Sequence, residues 1–172
     1  MRLFVAKGYE ETSLREIADA VGITKPSLYY HFASKLELLT AIVNPLLDEM
    51  RALADEVERL TPDAAGRRTV LRTYLRAMIR HRDAGEMWVN NAVPLANALA
   101  DQFPVIIEVG QVLRDWLAGP EPTTVQLLRA SAAMEILSVA LFSNKIVQDA
   151  GDDVVEATLL DAALATLQPG DD

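Results

Sequence analysis

The stretch from Thr12 to Glu37, TSLREIADAVGITKPSLYYHFASKLE, constrains the fold more than any other part of the chain. It holds one start signal twice: Ser13 with Glu16, and Ser34 with Glu37. In such a pair the hydroxyl accepts an early helix amide and the carboxylate returns to the cap, so a helix is expected to open at each. Leu14, Ile17, Ala18 and Val21 recur at three- and four-residue spacing, the apolar face of the first helix. Gly22 supplies the left-handed residue that ends it. Thr24 is a further N-cap, and Pro26 is tolerated in a first turn. Residues 13–31 therefore read as two helices joined by a turn of about three residues, a helix-turn-helix whose second helix can enter a DNA major groove.

Charge singles out the same stretch. The chain carries a formal net charge of −9, yet no acid occurs from Ala20 through Leu36. Residues 1–36 balance to +1, which leaves −10 on the remainder. An anionic body repels nucleic acid, so a DNA contact is expected only through the first segment.

The rest of the chain reads as helix throughout. Helices are expected over about 34–60, 62–82, from about 86 with an interruption at Pro94, 104–118, 123–148 and 153–167. TPDAAG, RDAGE, AGPEP and DAGDD punctuate them. No alternating strand pattern and no internal repeat occurs. The fold class is all-α: a helix-turn-helix domain with a shortened first helix over 1–45, then a helical ligand-binding and dimerisation domain over 46–172.

Composition removes several classes of function. With no cysteine and two histidines far apart, neither a disulfide framework nor a Cys- or His-based metal site is expected. No G-x-S-x-G elbow, P-loop or Rossmann glycine pattern occurs, so neither an enzyme nor a cofactor is expected. There is no uninterrupted apolar run of about 18 residues, and the apolar stretch near Met1 is too short for a signal peptide core. The expected location is the cytoplasm, with no membrane partner.

The stretch GYEETSLREIADAVGITKPSLYYHFASKLELL resembles the DNA-binding domain of the tetracycline-repressor (TetR) family of bacterial regulators. The marks are Gly8-Tyr9, Thr12-Ser13, Ile17-Ala18, Gly22, Lys25, Leu28-Tyr29, His31-Phe32 and Ser34-Lys35. They cover roughly the first quarter of the chain; the remainder resembles the family in helix number and length, not in motif. In that family the first helix begins some ten residues before the equivalent of RLF, and Met1 stands almost at that point. The resemblance thus leaves room for an alternative, a ligand-binding or interaction module whose shortened first helix impairs DNA binding.

The residues assign roles as follows. Hydroxyls, cations and helix N-termini suit phosphate, which brings in Ser13, Thr24 and Lys25. Ser27 and Pro26 can reach base edges or a thymine methyl. The resemblance implies that Tyr29, His31 and Lys35 clamp phosphate and that Tyr30 contacts the groove. Leu28 and Phe32 are expected in the core. A second basic row, Arg68, Arg72, Arg76 and Arg80, repeats every four residues and suits a solvated face or pairing with acids of a neighbouring helix.

For the body, Tyr74, Met78, His81, Trp88, Asn91, Phe103, Ile107, Met134, Ser138 and Phe142 are candidate pocket residues, an apolar lining with a few polar groups. Plain core packing competes for each. The small residues of LLRASAAMEILSVALFS suit close helix approach. With the last helix they suggest a dimer face of Leu127, Ala130, Ser131, Met134, Leu141, Val155, Leu159 and Ala163. The family resemblance implies a homodimeric one-component regulator, expected to act as a repressor on a palindromic DNA operator and to be released by a small apolar or amphipathic effector.

Overall fold

Ser13 opens a helix as its spacing with Glu16 predicts. Its hydroxyl accepts the Glu16 amide at 3.2 Å while the Glu16 carboxylate takes the Ser13 amide at 2.9 Å. The structure is a computed structural model that describes residues 1–146 and 150–168, with the side chains of 86, 88–90, 92, 102–103 and 144–145 outside that description. The described residues form helices and turns without strands. The α-helices are α1 (Arg2–Lys7), α2 (Leu14–Val21), α3 (Lys25–His31), α4 (Lys35–Val57), α5 (Ala64–Arg80), α6 (Arg82–Ala98), α7 (Phe103–Ala118), α8 (Thr124–Ser138), α9 (Ser143–Ile146) and α10 (Asp152–Leu167).

The chain divides into two units. The first comprises Met1–Pro45 and Asp83–Phe103, the second Leu46–Arg82 and Pro104–Asp172. Neither unit is contiguous in sequence. Met87, Leu95 and Leu99 bury themselves with Phe4, Tyr9 and Leu39, which draws Asp83–Phe103 into the first unit. Those contacts join residues some eighty positions apart, which local periodicity does not register.

Inside the first unit a small core of Leu14, Ala18 and Leu28 joins α2 to α3, with Phe32 packed against it. Gly22 ends α2 at φ 77°, ψ 27°, and its amide bonds back to the Ala18 and Asp19 carbonyls. α6 departs from helical geometry at Asn91 (φ −137°, ψ 23°), close to Pro94, whose ring nitrogen cannot donate into the helix.

In the second unit, α5, α8 and α10 pack together around Leu71, Leu75, Ala130, Ala133, Leu137, Leu160 and Ala163. Two expectations need correction. The helix expected over 123–148 is broken: α8 stops at Ser138, a 3-10 turn covers Val139–Phe142, and α9 follows. Ser138 Oγ donates to the Met134 carbonyl at 3.1 Å and Ser143 Oγ to the Ala140 carbonyl at 2.9 Å, local bonds that compete with the helical ladder. RDAGE does not interrupt the chain either. The break falls at His81 (φ −104°, ψ 20°), and RDAGE opens α6.

Thr124–Phe142 is long and apolar enough to cross a membrane by length and composition, with a mean hydropathy of 1.5. It contains Arg129 and Glu135, and Ala130, Ala133, Leu137 and Ala140 are buried in the second unit's core.

Candidate nucleic-acid interface

The second helix of the helix-turn-helix is short, and nearly all of it faces solvent. Thr24 Oγ1 accepts the Ser27 amide at 3.3 Å and caps α3. Leu28 is buried on the α2 side, 5% exposed. Lys25, Pro26, Ser27, Tyr29, Tyr30 and His31 are all exposed, and Tyr30 reaches 86%. The Lys25 ammonium lies 5.4 Å from the Tyr29 ring centre, and the Tyr30 and His31 rings meet edge to face at 5.3 Å. The result is a cationic, aromatic and hydroxyl-bearing surface without a carboxylate from Ala20 through Leu36.

Three of the expected residues are engaged within the protein. Ser13 Oγ donates to the Glu16 carboxylate at 2.8 Å as well as accepting its amide, so this hydroxyl is committed to the cap. Lys35 donates to the Tyr9 carbonyl at 2.6 Å and the Glu10 carbonyl at 3.0 Å, and sits over the Tyr9 ring at 4.5 Å. It therefore pins the loop after α1 to the start of α4. Asn91 does not stand in a pocket. It is 3% exposed, accepts the Tyr9 amide at 2.6 Å, and donates to the Phe4 carbonyl at 3.0 Å and the Met87 carbonyl at 2.9 Å.

These contacts, with Thr12 Oγ1 donating to the Gly8 carbonyl at 2.6 Å, hold α1 and its loop beneath the helix-turn-helix. Lys7 donates to Glu16 at 2.5 Å. That bond, the Ser13 amide and the Ser13 hydroxyl together hold the Glu16 carboxyl down at about 2. Burial pushes the Tyr9 phenol up, aided by neighbouring Glu10. At the head of α4, Ser34 Oγ accepts the Glu37 amide at 3.0 Å, but the Glu37 carboxylate takes the Ala33 amide, at 2.6 Å, in place of the cap's own.

The second unit holds an apolar cavity of about 180 Å³. Tyr74, Met78, Met134 and Ser138, four of the ten candidate pocket residues, line it. Sequence reasoning missed Arg51 and the apolar wall of Leu46, Val109 and Leu113, because α4 and α7 carry no polar mark that separates cavity from core. Burial pushes the Tyr74 phenol up, partly offset by the Ser138 hydroxyl. The other candidates lie elsewhere. Ile107 is exposed and Phe142 lies in the 3-10 turn after α8, both outside the lining. His81 Nε2 lies 3.0 Å from Glu49, which also takes a bond from Arg80. Burial opposes ionisation of Glu49, but the His81 and Arg80 bonds outweigh it and hold the carboxyl low. The side chains of Trp88 and Phe103 lie outside the described residues.

Three of the four arginines in the basic row of α5 meet carboxylates. Arg76 grips Glu156 of α10 through two nitrogens at 2.9 and 3.0 Å, Arg72 approaches the same carboxylate at 3.5 Å, and Arg80 meets Glu49. The expected dimer residues Ala130, Val155 and Ala163 are instead buried in the chain's own core, where α8 and α10 approach closely. Leu127, Ser131, Met134, Leu141 and Leu159 are half-buried. The apolar residues turned outward are Val125 and Leu128 on α8, Val139 at the start of the 3-10 turn and Val154 on α10.

Comparison with known proteins meets this geometry at the N-terminal end. Residues 1–42 match the family described as bacterial regulatory proteins, tetR family. The transcriptional activator FasR of Mycolicibacterium smegmatis is 41% identical over 61 residues, 36% of this chain and 28% of that protein. The transcriptional repressor KstR2 of Rhodococcus jostii is 44% identical over 48 residues, 28% of this chain and 24% of that protein. The matched stretch thus spans about a quarter of the length of these relatives. The crystal structure of Mycobacterium smegmatis AmtR superposes with a TM-score of 0.78 at 22% identity, covering 99% of this chain and 83% of that one, a likeness of fold. Residues 1–42 therefore carry the helix-turn-helix of the tetR family of bacterial regulatory proteins, and the relatives that share it are named as transcriptional regulators.

Proposed function

We propose that the chain is a one-component cytoplasmic repressor that binds double-stranded DNA as a homodimer and leaves its palindromic operator when a small effector fills the cavity of the second unit. The observation that carries the reading is α3 itself. It is fully solvent-facing apart from Leu28, has no acid, and belongs to a chain of net charge −9. Lys25 and Tyr29 reach phosphates, with Thr24 and His31 at the two ends of the helix. Ser27, Tyr30 and Pro26 face the base edges. Ser13 and Lys35 position this surface from behind. The repressor sense follows the KstR2 relative's name.

Release needs no direct contact between effector and DNA. An effector that fits the cavity better in a DNA-incompetent arrangement draws the population there by its differential affinity. The outward apolar residues of α8 and α10 are the proposed dimer face, which pairs two reading heads with two half-sites. Fluorescence anisotropy with DNA from the chain's own promoter region tests the reading. Specific binding that weakens steeply with salt is expected; equal affinity for random DNA at every salt concentration refutes it.

A further inference from the structure

The polar atoms of the second unit's cavity are few and one-sided. Among the described residues Arg51 is the one charged side chain in the lining, set among Leu46, Met78 and Leu113. Only its Nη1 has a partner, Asp48 at 2.6 Å, so the remaining guanidinium hydrogens lack acceptors among the described residues. The Tyr74 phenol stands beside the Ser138 hydroxyl, whose own proton is taken by the Met134 carbonyl. No carboxylate among the described residues lines the cavity. Glu135, the acid nearest in its influence on Tyr74, is exposed and screened by solvent.

An occupant of this space covers part of Arg51, whose side chain is 39% exposed and whose Nη1 holds the exposed Asp48. A neutral apolar occupant leaves the donors it covers without acceptors, whereas a carboxylate accepts two of them in the fork geometry that guanidinium offers. Size narrows the class further. A dry apolar cavity of about 150 Å³ holds one benzene ring, and this one is about 180 Å³.

We propose that the cavity binds a small monoanionic amphiphile, a single ring or short chain ending in a carboxylate, with the carboxylate on Arg51 and the apolar body against Met78 and Leu113. The inference rests on the reading of this cavity as the effector site and names the effector's class.

An isosteric pair tests it: 4-ethylbenzoate and 4-ethylbenzamide, titrated calorimetrically into the full chain, wild type, Arg51→Met and Arg51→Lys. The benzoate binds at least about tenfold more tightly than the benzamide to the wild type. Arg51→Met removes that preference while keeping the benzamide affinity, and Arg51→Lys retains part of it through charge alone. Equal affinities in the wild type, a benzoate preference that survives Arg51→Met, or no binding of either probe overturns the inference. Adding operator DNA separates the two readings. If both probes bind equally and both release DNA, the anion assignment fails and the effector reading stands. If the benzoate binds through Arg51 without releasing DNA, the effector reading fails and the ligand class stands.

Discussion

Asn91 shows how one side chain can hold a surface it never joins. Its carboxamide satisfies the Tyr9 amide and the Phe4 carbonyl, both in the buried floor of the first unit. Asn91→Ala leaves the Tyr9 amide buried without a partner, while the Phe4 carbonyl keeps the Gly8 amide, and the variant is expected to lose about 1–3 kcal/mol. Thermal unfolding by circular dichroism is expected to show a Tm lower by roughly 2–12 °C; an unchanged Tm sinks the assignment. Glu16 gives a pH signature at the same scale. Its carboxyl sits at about 2 in the folded chain against an ordinary 4.5, so its contribution is complete above 4.5 and lost as pH falls through about 2. The Tm difference between wild type and Glu16→Gln is expected to be constant at neutral pH and to shrink on acidification, and high salt is expected to reduce it because the pair is exposed. The Ser13–Glu16 box was legible in the sequence because capping is local. Asn91 was misread as a pocket residue because its partners lie more than eighty positions away.

At the scale of the element, α3 and the start of α4 separate two kinds of lysine that sequence alone could not. Lys25 and Lys35 both fall in the acid-free stretch, and both are expected at DNA, Lys25 from its place in the first turn of α3 and Lys35 from the family resemblance. Lys25 is exposed and holds only the Tyr29 ring, so it is free to meet a phosphate. Lys35 spends its donors on the Tyr9 and Glu10 carbonyls. Lys25→Ala is therefore expected to lower the slope of log affinity against log salt by about one unit per subunit at unchanged Tm. Lys35→Met is expected to lower Tm and weaken DNA binding with the slope nearly unchanged. Anisotropy titrations across salt concentrations, paired with melting curves, tell them apart; the same slope change for both variants returns Lys35 to the phosphate contacts. The break of α8 at Ser138 escaped prediction for a different reason. Ser and Thr side chains bond back to carbonyls within intact helices too, as Ser131 does to Leu127 at 3.0 Å, so composition does not say which such bond ends a helix.

At the scale of the whole molecule, one reading head binds weakly and two on a common frame bind well, because the second contact becomes intramolecular. The small residues of α8 and α10 drew attention as a dimer face, but close approach inside one chain uses the same residues as close approach between chains. Exposure separates the two cases: Ala130 and Ala163 are fully buried, while Leu128 is 65% exposed and Val125 57%. Val125, Leu128, Ala132, Glu135 and Val139 recur at three- and four-residue steps and all face outward, the spacing of a helix seam. Leu128→Glu is expected to place a charge in that seam, shift sedimentation velocity profiles from dimer to monomer, and weaken operator binding by about 10²–10⁴-fold through the lost coupling of half-sites. Ala163→Leu is expected to do the reverse. It overpacks the α8–α10 contact and costs about 1–3 kcal/mol of stability, while the protein that remains folded keeps its dimer. A dimer that survives Leu128→Glu and dissociates with Ala163→Leu puts the interface elsewhere, since no outward seam is then holding two copies together.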